Sequence, residues 1–404
     1  MERLYEALKD AILVFDGSMG ALVGQMGYAT SCTDELAVTH PDVIRGIHKE
    51  YIEAGANVIL ADTFGATEMS LAHKGKKGMG ETFTKAAVAL AKEAADGKAL
   101  VAVDMGPTSE FMAPVGMYKA EDFIKTFFDQ AASAKEAGAD FAMIETQTDL
   151  AEARCALLGA KKAGLEAAVS FTFENGKTLT GSSPECCAIV MERLGASAIG
   201  INCSTGPDEM LPVVKKLVSF TSLPVIVQPN AGLPKTSPEG KLYYPFSPEE
   251  MLESMKAIVD AGAGAIGGCC GTTPEHIRKI SSLADGAPAV HAGNTEKYVC
   301  SLRVFTPLSE ALGASVNIED PEDMYDLEEE DLLAVIDLTN MDADEAEEFT
   351  SDCAAFGKTP LAFKANDEET LEAALRAYSG IACVFAESDL QDVCDKYGAY
   401  RMEG

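Results

Sequence analysis

The chain has 404 residues, 47% of them hydrophobic, which is enough for a large core and for two domains. A net charge of −32 argues against nucleic acid and against anionic membrane surfaces as partners. Eleven cysteines, an odd count scattered through a long chain, do not make a secreted disulfide framework.

Short apolar runs recur about every 30 residues through the first 300. Strands are predicted over 11–15, 57–61, 99–104, 140–145, 167–173, 198–202, 223–228 and 263–267. Ala-rich helical patterns lie between them, at 41–54, 82–95, 120–137, 149–163 and 248–261. Apolar runs this short suit parallel strands covered on both faces. Several helices run into Ala-Gly-Ala or Ala-Gly-Leu, a C-terminal stop before the next strand. Eight alternating units in this length match a (β/α)8 TIM barrel. An open doubly wound sheet is the alternative, but no Gly-x-Gly-x-x-Gly follows the first strand.

The charge is uneven. Residues 301–404 carry 26 Asp+Glu and 6 Lys+Arg, a net of −20, against −12 for residues 1–300. We therefore expect a barrel domain over 1–295 and a small acidic α/β domain over 305–404. The tail has predicted strands at 332–336, 361–364 and 381–385, and predicted helices at 343–356, 368–378 and 390–397. No apolar run reaches membrane-spanning length, and the start lacks a signal-peptide pattern. A cytoplasmic protein without membrane or nucleic-acid partners is expected.

In a barrel, chemistry sits at the C-terminal ends of the strands. The unusual residues fall there. Asp16-Gly17-Ser18 follows strand 1, Asp62-Thr63-Phe64-Gly65 strand 2 and Gly106-Pro107-Thr108 strand 3. Glu145-Thr146 ends strand 4, Asn202-Cys203 ends strand 6, and Pro229-Asn230 follows strand 7. After strand 8 comes Gly267-Gly268-Cys269-Cys270-Gly271-Thr272-Thr273-Pro274. Glycines around an adjacent cysteine pair let one turn aim both sulfurs inward. Cys203, only two strands away, can join them. Three thiolates fit a zinc ion with one coordination position open, which implies chemistry and not structure alone. Unligated buried thiols, a structural zinc with a fourth cysteine, and a phosphate cradle are the competing readings. Hydrolytic zinc sites favour His and carboxylate ligands, and the five histidines show no ligand spacing.

These motifs resemble the homocysteine S-methyltransferase family, most closely its cobalamin-dependent methionine synthase branch. The matching stretches are Asp16-Gly17-Ser18-Met19-Gly20, Asp62-Thr63-Phe64-Gly65, Gly200-Ile201-Asn202-Cys203, Pro229-Asn230-Ala231-Gly232 and the Cys269-Cys270 turn. The resemblance implies homocysteine as methyl acceptor and methionine as product. It implies zinc on Cys203, Cys269 and Cys270, with the substrate thiolate itself as nucleophile and no catalytic side chain. By the same resemblance Glu145 receives the substrate ammonium, and Asp16, Gly17 and Ser18 hold its amino-acid end. Asn230 either joins them or caps its own turn. Gln228 stands where that branch often has Glu.

The methyl donor stays open. A methylated corrinoid on a partner protein is favoured. S-methylmethionine or betaine binding directly is the alternative, with Tyr28, Phe64 and Tyr118 as nearby aromatics, and a non-catalytic homocysteine-binding subunit is a third reading. Residues 359–380 faintly resemble part of a folate-binding barrel. About 100 residues cannot close a second barrel, so the tail reads as a reduced remnant without assigned folate binding.

Overall fold

The computed structural model describes residues 3–403 apart from 29, 114, 239, 241, 287, 289, 290, 292, 329 and 331. Eight parallel strands form one sheet: β1 (Leu13–Val14), β2 (Val58–Leu60), β3 (Leu100–Met105), β4 (Phe141–Gln147), β5 (Ala167–Phe171), β6 (Ala198–Asn202), β7 (Val225–Gln228) and β8 (Ala265–Ile266). β1 pairs with β8 through Leu13 and Ala265. A parallel bridge between Phe15 and Val58 closes the cylinder on the other side. The fold is a (β/α)8 barrel.

A helix follows each strand, from Pro41–Glu53 after β1 to Pro274–Ile280 after β8. Local chemistry starts them. Ser247 and Glu250 form a reciprocal capping box before Pro248, and Ser183 caps the helix Pro184–Arg193. Alternation along the strands then sorts side chains into two cores. Phe15, Val58, Ala102, Phe141, Met143, Ala198, Ile226 and Ala265 fill the inside of the barrel. Val101, Val103, Ala142, Ile144, Ile199, Ile201, Val225 and Val227 face the helices. A short N-terminal helix, Arg3–Asp10, adds Leu4 and Leu8 to the inner core. Glu166 holds that helix by accepting from the amides of Leu4 and Tyr5 at 3.0 and 2.7 Å.

The tail holds a five-stranded parallel sheet whose strands lie in chain order: Ser315–Ile318, Leu333–Asp337, Leu361–Lys364, Cys383–Ala386 and Tyr400–Glu403. The outer two strands were not anticipated. A hairpin, Tyr298–Cys300 with Phe305–Pro307, stands between this sheet and the barrel. Its Tyr298 and Phe305 rings both pack on Phe220 of a barrel helix, and Cys300 bridges to Ile381. Arg154, 1% exposed on the barrel helix Leu150–Lys162, donates to the carbonyls of Leu375 and Arg376. Those carbonyls end the tail helix Glu368–Ala377, where a cation is favoured.

Candidate metal centre

The loops after β6 and β8 bring three sulfurs together at the barrel's C-terminal end. The Sγ atoms of Cys203, Cys269 and Cys270 lie within 4.8 Å of one another, and Cys203 and Cys270 are 3.9 Å apart. The loop after β7 splints the two. Cys203 N–H donates to the Gln228 carbonyl at 3.2 Å, and Cys269 N–H to the Pro229 carbonyl at 2.8 Å. Asn230 Oδ1 accepts from Cys270 N–H at 3.0 Å. The side chain of Asn230 is thus engaged in holding the cysteine turn.

Backbone strain concentrates here. Thr146, Cys203 and Ser204 have φ of 58°, 60° and 50°, a left-handed region that costs free energy for any residue but glycine. Thr146 lies where the register between β4 and β5 shifts, between Ile144 and Gln147. Such an irregularity re-aims the side chain beside it, here Glu145. Gly271 also has positive φ, 78°, and a Cβ there would meet the Tyr244 ring at 2.3 Å. The adjacent cysteines therefore sit in a turn that only glycine can complete.

Asn202, fully buried, ties the strained segments together. Its Oδ1 accepts from Thr146 N–H at 2.9 Å and from Ser170 Oγ at 2.8 Å. Its Nδ2 donates to Thr146 Oγ1 at 2.8 Å and lies 3.9 Å from Cys269 Sγ. Sequence reasoning placed Asn202 beside Cys203 but gave it no role. Tyr244, whose hydroxyl donates to the Cys270 sulfur, was also missed, because nothing local to residue 244 links it to residue 270.

The three thiols perturb one another's protonation. Hydrogen bonds from Cys203 and Cys269, with a further one from Tyr244, hold the Cys270 thiol down at about 3 against the cost of burial. The bond to Cys203, then that to Cys270, raises Cys269 well above its ordinary value. A cluster that already stabilises one thiolate can shed its remaining protons to a soft metal ion.

Carboxylates line the neighbouring wall. Glu145 is 8% exposed and pushed up to about 7, by burial first and the Cys270 thiolate second, with a hydrogen bond from Thr146 opposing. Asp16 is raised well above the usual carboxylate range by burial and by Glu145, although its Oδ2 accepts from Leu60 N–H at 2.9 Å. Gly17 is pressed against the turn after β8: a Cβ would come within 2.6 Å of Thr272 Oγ1. Ser18 caps the helix Met19–Gln25 by accepting from Ala21 N–H, and its own N–H donates to Thr272 Oγ1 at 3.2 Å. Tyr51 hydroxyl donates to the carbonyls of Ser18 and Thr272. The turns after β1 and β8 are thereby fastened together, with Cys269 and Cys270 beside Asp16–Ser18.

Comparison with known proteins accords with this architecture. The profile of the homocysteine S-methyltransferase family matches residues 13–284. Methionine synthase of Mycobacterium leprae is 32% identical over 300 residues, covering 69% of this chain and 25% of that protein. Methionine synthase of Mycobacterium tuberculosis is 31% identical with the same coverage. The chain thus spans about a quarter of the length of these curated relatives. Among solved structures, the oxidised form of the homocysteine methyltransferase MmuM from Escherichia coli superposes with a TM-score of 0.58 at 24% identity, covering 67% of this chain and 96% of that one. The metallated form gives 0.57 at the same identity and coverage. These two likenesses speak to the barrel fold. Matched from β1 to beyond the cysteine turn that follows β8, the chain belongs to the homocysteine S-methyltransferase family.

Proposed function

We propose that this protein transfers a methyl group to the thiol of homocysteine, giving methionine, with zinc held by Cys203, Cys269 and Cys270. The observation that carries the reading is the three-sulfur cluster. Zinc–sulfur bonds of about 2.3 Å in a tetrahedron set neighbouring sulfurs about 3.8 Å apart. The 3.9 Å between Cys203 and Cys270 is close to that spacing. When bound, zinc would supply a fourth position at which a substrate thiol is held as thiolate at neutral pH.

The chain's own residues do the rest. Glu145, buried beside the sulfurs, receives the substrate ammonium. Asp16 and the Gly17–Ser18 turn set the amino-acid end against β1. Asn202 and Asn230 keep the cysteine turns in the orientation that leaves one side facing the barrel mouth. Positioning and exclusion of water then account for the rate, and no side chain need act as general base.

For the methyl donor we favour a methylated corrinoid carried by a separate protein. Exposed apolar side chains on loops at the barrel mouth support it: Phe64, Phe111, Val115, Met117 and Leu233 offer a surface to a protein partner. The aromatics that could contribute to holding a small cationic donor each have other neighbours. Tyr28 packs edge-on against His40, Tyr118 against Phe123, and Phe64 lies over Gly106.

We further propose that residues 1–295 and 305–404 form two domains, the second a reduced remnant of a folate-binding barrel. Five parallel strands in chain order are what part of a (β/α) barrel would leave. No described helix is long and apolar enough to cross a membrane.

The test supplies zinc-loaded protein and homocysteine with methylcobalamin, S-methylmethionine, betaine or methyl-folate, and measures methionine. Product from methylcobalamin is expected. Product only from S-methylmethionine or betaine would replace the donor. Thiol binding without product from any donor or corrinoid protein would leave a homocysteine-binding subunit.

A further inference from the structure

A cleft of about 360 Å3 lies outside the strand cylinder, between the helices Gly80–Ala95 and Ala120–Glu136 that follow β2 and β3. None of the cysteines lines it. Its walls carry the carboxylates of Glu68, Glu81, Asp129 and Glu136. Lys85 bridges Glu81 and Glu136 at 2.5 and 2.8 Å, and Lys125 pairs with Asp129 at 2.6 Å. Glu68 accepts from the amides of Gly78 and Gly80 at 2.7 and 2.8 Å. Four acids against two lysines leave the cleft negative.

Two buried side chains line the same cleft with polar atoms unpartnered. Gln130, 3% exposed, spends its Nε2 on the carbonyls of Thr63 and Asp104 at 2.8 and 3.4 Å. Those bonds fix the amide with its oxygen turned away from the strands, and Oε1 has no partner. Thr126, 6% exposed, leaves Oγ1 equally alone. Buried acceptors without donors are costly, so these two call for a donor inside the cleft.

The donor must be cationic to suit the walls. A directly ligated metal ion fits poorly. Among the described residues, only the cysteine cluster brings three metal-ligating side chains within 4.8 Å of one another. The cleft is also far roomier than a bare ion. Its acceptors are instead strung along one face of a single helix: Thr126, then Asp129 and Gln130, then Glu136. Each helical turn advances about 5.4 Å, close to the spacing of ammonium groups three or four methylenes apart. The bridge that Lys85 makes shows an ammonium already held between two of these carboxylates.

We propose that this cleft binds a linear aliphatic polyamine. One ammonium donates to Gln130 Oε1 and Thr126 Oγ1, and another lies among the carboxylates toward Glu136. The ligand ties together the helices that follow β2 and β3, and the site stands apart from the chemistry at the cysteines.

The test titrates spermidine into the full chain by calorimetry in about 0.15 M salt, where loosely held counterions are screened. One saturable site per chain is expected. Butylamine, with a single ammonium, should bind at least about tenfold more weakly. T126V and E136Q should each weaken spermidine about three- to tenfold. Glu136 is exposed, so E136Q supplies the comparison should T126V fail to fold. E253Q removes the same charge from the exposed face of the helix Pro248–Asp260, which follows β7, and should change the affinity less than about twofold. Absence of saturable binding overturns the site. Equal weakening by E253Q and E136Q would reduce it to general surface charge, and butylamine binding as tightly as spermidine would remove the polyamine. Mg2+ alone binding with the same loss in T126V and E136Q would replace the polyamine with a metal.

Discussion

The side-chain amide of Asn202 grips Thr146 twice, accepting from its N–H at 2.9 Å and donating to its hydroxyl at 2.8 Å. The pair holds a β-branched residue at a φ of 58° immediately after Glu145, while Nδ2 also faces Cys269. One buried amide therefore sets both the carboxylate and a sulfur. Asn202→Ala should cost about 1–3 kcal/mol of stability, since it orphans buried partners and releases the strained backbone. Urea unfolding with metal analysis checks it. A variant as stable as wild type and equally metal-loaded would remove Asn202 from this role.

The three cysteines are expected to act as a unit. Replacing Cys203, Cys269 or Cys270 by Ser singly should strip zinc from the protein purified under chelator challenge. Zinc content by atomic absorption is the readout, and undiminished metal in all three variants would sink the site.

Glu145→Gln separates substrate binding from metal binding. Losing a charge-assisted bond to the ammonium should raise the homocysteine dissociation constant about 10- to 100-fold, with zinc retained. Equal affinity in the variant would exclude the contact.

The same substitution has a pH signature. Burial pushes Glu145 from 4.5 up to about 7. A carboxyl raised on folding lends stability below its unfolded value, and this is lost as pH rises through its folded value. His48, lowered to about 4 by burial, runs the other way: its share is lost as pH falls from 6.5 toward 4. Metal-free Glu145→Gln should therefore be more stable than wild type at pH 8, by at most about 3 kcal/mol, with the gain vanishing near pH 4. Equal effects at both pH values would mean that Glu145 is not held protonated.

Truncation after residue 300 leaves every barrel strand in place but uncovers Arg154 and the helix Leu150–Lys162, whose residues 150–160 are all buried. A folded, zinc-binding product with a lower Tm is expected. Failure of the truncated chain to fold would make the tail part of the barrel's core. Arg154→Ala in the full chain should cost about 2–4 kcal/mol, because two helix-ending carbonyls lose their buried partner.

Much of this was legible in the sequence. Expected strands 57–61, 198–202 and 223–228 each contain the observed strand within two or three residues at either end, because buried parallel strands are short unbroken apolar runs. Glycine beside Cys269-Cys270 announced a turn, and the strand ends announced its side of the barrel. The hidden part was everything set by approach across the barrel. Residue 244 says nothing of residue 270, and Asp104 reads as an ordinary polar strand end until alternation against Ala102 turns it inward. Likewise, Asn230 appeared as either a substrate contact or a turn cap, and its bond to Cys270 N–H depends on loops 40 residues apart meeting.

The sequence by itself determined the barrel, its eight strand ends and the identity of three candidate ligands, since periodicity and turn chemistry are local. Only the tertiary structure decided that the three sulfurs meet within 4.8 Å, that Asn202 fixes their neighbours, and that Asn230 reaches the Cys270 amide. Those are distances between residues far apart in the chain, set by barrel closure and by the packing of its inner core.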